Sequence, residues 1–387
     1  MIRLVKIMLW LFVFLIPWEN VVVFPGLGTL AKAWGLSTGV ICLFAILLKD
    51  KVRYHPFLIV GLLFVLWGWA SVLWSINSEL SVSRMLTYTG LWLMSWLIYH
   101  YGIDSFLFSL FQAYVLGAWV AALLTIHAYM HGMAVVYQRF GAKGFDPNDL
   151  SFYLNLAIPL ATYLGFRASS ARSMVFYLLY IPVAIIAILL TASRSGAFGL
   201  AVALLFVFYH LRGVTLGWRL AGILLFVGAA WAALTWVPQA SLARISTLGA
   251  EVRGGTLNER LDIWAAGFQV FAAHPVLGVG AGTFSQAVES ILGEPRAPHN
   301  AFLAIAVEGG LVGLCLWLFL ITLPFLNVFK FPSHERWLWL FTLAVLVVSF
   351  ISLNFEWRKV TWLILAFIIA HSTSQRSKRT FVSHEPT

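Results

Sequence analysis

The chain has 387 residues, of which 61% are hydrophobic and only 10% charged. Soluble domains carry roughly 45–50% apolar and about 25% charged residues, and none of this length has interior enough to hide the excess. A mean hydropathy of +0.89 therefore demands a bilayer as solvent, which excludes secreted, cytosolic and disordered classes. The net charge is +10, but basic residues punctuate apolar runs instead of forming one stripe. Membrane lipids are the expected partner, and nucleic acid is not. Cys42 and Cys315 each lie in an apolar run, so neither a disulfide framework nor a thiolate metal site is expected.

Apolar windows predict an all-α polytopic integral membrane protein with about twelve spanning helices. They lie near 7–24, 30–48, 56–75, 85–101, 104–130, 149–166, 174–192, 195–211, 217–237, 299–328, 337–354 and 358–371. The first window lacks a small-residue cleavage site and contains Pro17 and Glu19, so it reads as an uncleaved span. One transmembrane domain then covers 1–372, followed by a basic cytoplasmic tail, 373–387. With a cytoplasmic N-terminus, most loop lysines and arginines fall on the cytoplasmic side, and both termini lie inside. The opposite face receives two hydrophilic segments, about 131–148 and about 238–298; the longer is expected to carry short amphipathic helices.

Six arginines map to that outer face: Arg139, Arg194, Arg244, Arg253, Arg260 and Arg296. Guanidinium forks match paired phosphate oxygens and stay charged. Loops this long also translocate whatever their charge, and Arg244, Arg253 and Arg296 stay open between solvated charge and anion site. Arg194 is different, because Ser193-Arg194-Ser195-Gly196 is a short junction that opens a helix. Its guanidinium sits beside orphan N–H groups and a positive dipole end, at head-group depth.

In the shorter segment, Arg139 precedes Asp146-Pro147-Asn148-Asp149. Asn148 or Asp149 is expected to cap the next span; the alternative, Asp146 and Asp149 on a divalent cation, is a weak signature. In the longer segment, Thr256 and Glu259 form a capping-box pattern ahead of a surface helix with Leu261, Trp264, Ala265, Phe268 and Phe271 at helical spacing. Arg260 and Trp264 share one face there and together suit a lipid-linked phosphate or sugar. Pro298-His299-Asn300 then precedes a long span, where the helix dipole favours a neutral imidazole able to accept a proton. Glu308, inside that span, is expected to face a bundle interior.

Taken in order and on one face, these elements resemble the bacterial O-antigen ligase and polymerase family over about 135–320. They are Asp146-Pro147-Asn148, Ser193-Arg194-Ser195-Gly196, Asn258-Glu259-Arg260 with Trp264, His274-Pro275 through Gly278-x-Gly280, and Pro298-His299-Asn300. The resemblance implies a glycosyltransferase of the bacterial inner membrane with a periplasmic active site. The donor would be a glycan on undecaprenyl diphosphate, transferred with inversion and without metal or other cofactor. In ligases the acceptor is a lipid A–core sugar of lipopolysaccharide; in polymerases it is another lipid-linked repeat, as in O-antigen or exopolysaccharide assembly. By motif, Arg194 and Arg260 would hold the diphosphate and His299 would activate the acceptor hydroxyl. Arg139, Asp146, Asn148, Ser193, Trp264 and Asn300 are the substrate-binding candidates. These groups are expected to converge at the outer rim. A transporter or flippase for a lipid-linked glycan is the other class weighed, but charges gathered at one rim, with few in mid-span, speak against it.

Overall fold

A computed structural model describes the chain apart from residues 27, 50, 51, 104, 137, 247–258 and 383–387. It is all-helical save for one short hairpin, β1 (Val23–Phe24) paired antiparallel with β2 (Gly28–Thr29). The long helices are α1 (Ile2–Leu15), α2 (Leu30–Lys49), α3 (Pro56–Ser71), α4 (Ser78–Tyr101), α5 (Phe106–Met130), α6 (Pro147–Phe166), α7 (Ala171–Leu190), α8 (Arg194–Leu211) and α9 (Leu216–Trp236). Among the described residues three short helices follow: α10 (Gln239–Ser246), α11 (Arg260–Ala273) and α12 (Phe284–Leu292). The chain then runs through α13 (Ala301–Val328), α14 (Ser333–Ser352) and α15 (Lys359–Val382). A helix underlies each of the twelve apolar windows, and among the described residues six are long and apolar enough to cross a membrane.

Boundaries follow local chemistry. α1 stops at Leu15 and tightens into a 3-10 turn, Ile16–Trp18, where Pro17 lacks the N–H that would continue it. α4 begins a full turn or more before its apolar window, at Ser78, because Asn77 Oδ1 accepts the Leu80 N–H at 3.1 Å. The same device opens α6 (Asp146), α7 (Ser170), α8 (Ser193) and α13 (Asn300).

The chain forms two compact units. The first comprises Met1–Leu48, Ser105–Gly249 and Pro332–Val348. Its central helix is α6, buried on every side from Leu150 to Gly165 and packed on α5, α7 and α8. Gly196 lets α8 lie directly on α6: a Cβ there would meet Ser151 Oγ at 2.2 Å, and Asn155 Nδ2 donates to the Gly196 carbonyl at 2.8 Å.

The second unit comprises Lys49–Asp104, Ala250–Phe331 and Ser349–Thr387. Its interior is aromatic, with Phe64, Tyr88, Trp317, Phe350 and Trp362 in mutual contact. α13 is broken at Gly310, which has φ 64° and ψ −165°. The peptide groups released there are taken up by the segment 275–282 and by one indole. Val279 N–H donates to Val307 O, Gly280 N–H to Glu308 O, and Leu311 N–H to Pro275 O, at 2.8–3.0 Å, while Trp67 Nε1 donates to Gly309 O at 2.9 Å. Gly310 is the break itself, because only glycine takes this conformation without strain.

Gly278 approaches this break so closely that a Cβ would lie 2.5 Å from the Glu308 carbonyl, and its φ is +70°. Gly278→Ala is therefore expected to destabilise the protein by about 3 kcal/mol. Gly132→Ala, with positive φ but nothing within 4 Å, serves as the control at about 1 kcal/mol. Unfolding midpoints of the two variants in detergent should differ accordingly; equal midpoints would remove the close-approach account.

Candidate active site

Among the described residues, four that are not glycine have positive φ: Gln138 (58°), Ala192 (49°), Glu259 (64°) and His299 (46°). Each either precedes a predicted site residue or is one. Such backbone stores about 1–3 kcal/mol of strain and persists where the surroundings over-determine it, typically at ligand-handling positions.

The first two lie in the first unit. Gln138 forms a tight turn in which Arg139 N–H bonds Val136 O, and Phe140 N–H donates to Leu190 O at 3.0 Å, fastening the loop to the end of α7. Arg139 is only 8% exposed; its Nε donates to Thr191 O at 2.9 Å and its Nη2 to Asn148 Oδ1 at 2.7 Å. Asp146 caps α6 by accepting the N–H groups of Asn148 (2.8 Å) and Asp149 (3.4 Å). This corrects the expectation that Asn148 or Asp149 caps: Pro147, fitted by its fixed φ to the first helical position, puts the cap at Asp146, two or three residues upstream. Asn148 is left to hold Arg139.

Ala192 turns the chain so that Ser193 Oγ accepts the Gly196 N–H at 3.1 Å and α8 starts at Arg194. The anticipated junction of Arg194 with a helix N-terminus is present. Arg244 joins this group from α10, where Ser241 Oγ donates to Gln138 O at 3.4 Å and Leu242 packs on Phe140, Leu190 and Val237. Burial, then Arg244, bring the Arg139 guanidinium down to about 10; Asp146 opposes this and Arg194 adds to it. Three cations within each other's field are relieved by an anion.

The other two strained residues lie in the second unit. Glu259 reaches Arg296 at 3.1 Å, and Arg296 also pairs with Glu294. α11 begins at Arg260. Trp264 Nε1 donates to Pro298 O at 2.9 Å, which fastens the first turns of α11 to the residue before His299. Asn300 Oδ1 accepts the N–H groups of Phe302 and Leu303, both at 3.0 Å, so His299 stands one residue outside the cap of α13. Glu259 stands just before the helix with a left-handed φ, and its side chain makes no capping bond, so it is not the third helical residue that the expected capping box with Thr256 required. Thr256 itself, with Asn258 and Arg253, lies outside the described residues. The buried side of α11 is Ile263, Ala266 and Gly267, with Trp264 and Phe271 partly covered, whereas Leu261 and Phe268 of the expected apolar face are 50% and 60% exposed. The helix is apolar on both sides, so spacing alone could not tell which face the protein covers.

Two charged groups that sequence reasoning passed over belong to the same unit. Arg84, on α4, lies 3.9 Å from Glu356 and 4.6 Å from the Trp357 ring centre, which Arg358 approaches to 3.8 Å. Burial pushes the Glu356 carboxyl up to about 8; Arg84 opposes and Glu308 reinforces the shift. Glu308 is buried, as expected for an intramembrane acid, and accepts the N–H groups of Gly282 (2.7 Å) and Phe284 (3.3 Å) at the start of α12. The signal was available: Asn354-Phe355-Glu356-Trp357-Arg358 packs opposite charges around one indole in a very short connection.

Residues 179–318, less than half of the chain, match the family described as O-antigen ligase. Over this stretch the chain is similar to that family. The O-antigen ligase stretch runs from within α7 to within α13 and contains Ser193, Arg194, Arg244, Arg260, Trp264, His299 and Asn300. The Arg139–Asn148 element of the expected 135–320 region precedes it. No curated protein matches the chain.

Glu356 gives a pH dependence with a definite sign. Its folded pKa near 8 exceeds the ordinary carboxylate value of 4.5, so the folded state binds the extra proton. Stability is fully present below about 4.5 and is lost as pH rises through 8. Unfolding midpoints should fall between about pH 5 and 9 in the native protein and fall less in Glu356→Gln; parallel curves would refute the assignment. Arg139→Lys, which cannot keep both bonds of the guanidinium fork, should lose about 1.5–3 kcal/mol of stability in the same assay.

Proposed function

We propose that this chain is a twelve-span glycosyltransferase of the bacterial inner membrane that moves a glycan from undecaprenyl diphosphate to an acceptor sugar on the periplasmic face, as an O-antigen ligase with a lipid A–core acceptor. The observation that carries the reading is the gathering of Arg139, Arg194 and Arg244 around the Ser193-capped start of α8, inside or beside the stretch that matches the family. A leaving diphosphate accumulates negative charge in the transition state, and preorganised guanidinium groups with helix N–H donors stabilise charge that develops there. Arg260 has the same role in the second unit.

In this reading the acceptor hydroxyl oxygen attacks the anomeric carbon from the face opposite the phosphate oxygen. His299 takes the hydroxyl proton, the bond from the anomeric carbon to phosphate oxygen breaks, and its electron pair leaves with the undecaprenyl diphosphate. Configuration inverts, and the arginines act without metal. Asp146 and Ser193 serve by capping the helices that carry their neighbours, Asn148 by orienting Arg139, and Trp264 and Asn300 by fixing the backbone on either side of His299. Both termini are cytoplasmic.

The competing reading within the family is a polymerase that joins lipid-linked repeats. Purified protein supplied with a lipid-diphosphate glycan and either a core-lipid acceptor or a second lipid-linked repeat separates the two: one attached block marks a ligase, a growing ladder a polymerase. In that assay Arg194→Ala and His299→Ala are expected to lower transfer by at least about a hundredfold with protein levels maintained. Native rates in both variants would defeat the assignment.

A further inference from the structure

The loop 353–358, between α14 and α15, holds polar atoms for which the described residues supply no partner. Glu356 is 1% exposed; Arg84 lies beside its Oε1, while Oε2 has no hydrogen-bond partner there. Asn354 Oδ1 and the Trp357 indole N–H are likewise withdrawn from solvent and unpartnered. A buried polar atom left alone costs about 1–3 kcal/mol, so three within four residues point to partners that come from outside the protein. The set is an acceptor (Asn354 Oδ1), a donor (the Trp357 N–H) and a carboxyl oxygen that donates when protonated and accepts when ionised. Hydroxyl groups, which donate and accept at once, complement all three.

The loop also stands at the functional end of its unit. Phe302, in the first turn of α13, lies 5.9 Å from Phe350, in the last turn of α14. His299 immediately precedes the one turn, and the loop immediately follows the other. Arg84 and Arg358 against the Trp357 ring hold the loop's indole in place.

We propose that Asn354, Glu356 and Trp357 form the subsite for the acceptor sugar, whose hydroxyl groups pair with these atoms and leave one hydroxyl for His299. The proposal rests on the transferase reading for the identity of the acceptor, but the hydroxyl-binding chemistry belongs to the loop itself.

Detergent-solubilised native protein, Asn354→Ala and Glu356→Gln would be titrated calorimetrically with two probes, a deacylated lipopolysaccharide core oligosaccharide and a deacylated repeat-unit oligosaccharide. Transfer from a lipid-diphosphate glycan would be assayed in parallel. One probe is expected to bind the native protein, and each substitution to weaken it about tenfold, the loss of one hydrogen bond, with donor affinity unchanged. Asn354→Ala removes an oxygen that bonds nothing in the described protein, so it keeps the test sound should Glu356→Gln fail to fold. Equal affinity in native protein and Asn354→Ala, or no binding of either probe, overturns the subsite and leaves water only at these atoms. Binding with the expected losses but no transfer by the native protein retires the transferase reading while the subsite stands. Binding of the repeat-unit probe alone supports the subsite and makes the acceptor a polymerase's.

Discussion

A peptide group withdrawn from water must find its hydrogen-bond partner inside the protein, and the candidate site is built where that requirement is hardest to meet. Its residues stand at helix starts and at one helix break, where α-helical bonding runs out. Asp146, Ser193 and Asn300 satisfy orphan N–H groups with side-chain oxygens. The break at Gly310 is satisfied by the segment 275–282 and by Trp67. Each solution fixes the direction in which the chain leaves its helix, and Arg139, Arg194, Arg260 and His299 are carried on those exits.

The left-handed residues fit the same account. Gln138, Ala192, Glu259 and His299 are conformations that no isolated loop would choose. Arg139 is tied through Thr191 and Asn148, while the segment ahead of His299 is tied through Trp264. The strain is the counterpart of precision: in the proposed reading, an arginine that meets a leaving diphosphate has to be aimed before the charge appears.

Much of this was legible in the sequence, for reasons that differ between elements. Apolar windows found the long helices because a span must be apolar over its whole length. The helix start beside Arg194 was legible because a junction between two apolar spans is a local feature. The start of α4 was not, since Ser78 to Arg84 is polar and reads as loop; Arg84 is covered by Glu356 and Trp357, far along the chain. Nothing in the local sequence shows that Gly278 closes on Glu308, thirty residues downstream, or Gly280 on Ser75, about two hundred residues upstream. Arg244 stayed open for the same reason: its neighbours are Arg139 and Arg194, and nothing in its own stretch of sequence names them. Pairings across long separations leave no periodicity to read.

The break in α13 bears on how the protein would respond to its membrane. A straight helix of 28 residues would be about 42 Å long, well beyond a hydrocarbon layer of about 30 Å. Residues 311–328, beyond Gly310, make a rod of roughly 27 Å, close to that thickness, and 301–309 form a short stub held by protein. Hydrophobic mismatch in a thicker or thinner bilayer is met by tilting the long rod. The stub is bonded to 275–282 instead, so the residue at its tip, His299, is insulated from lipid composition.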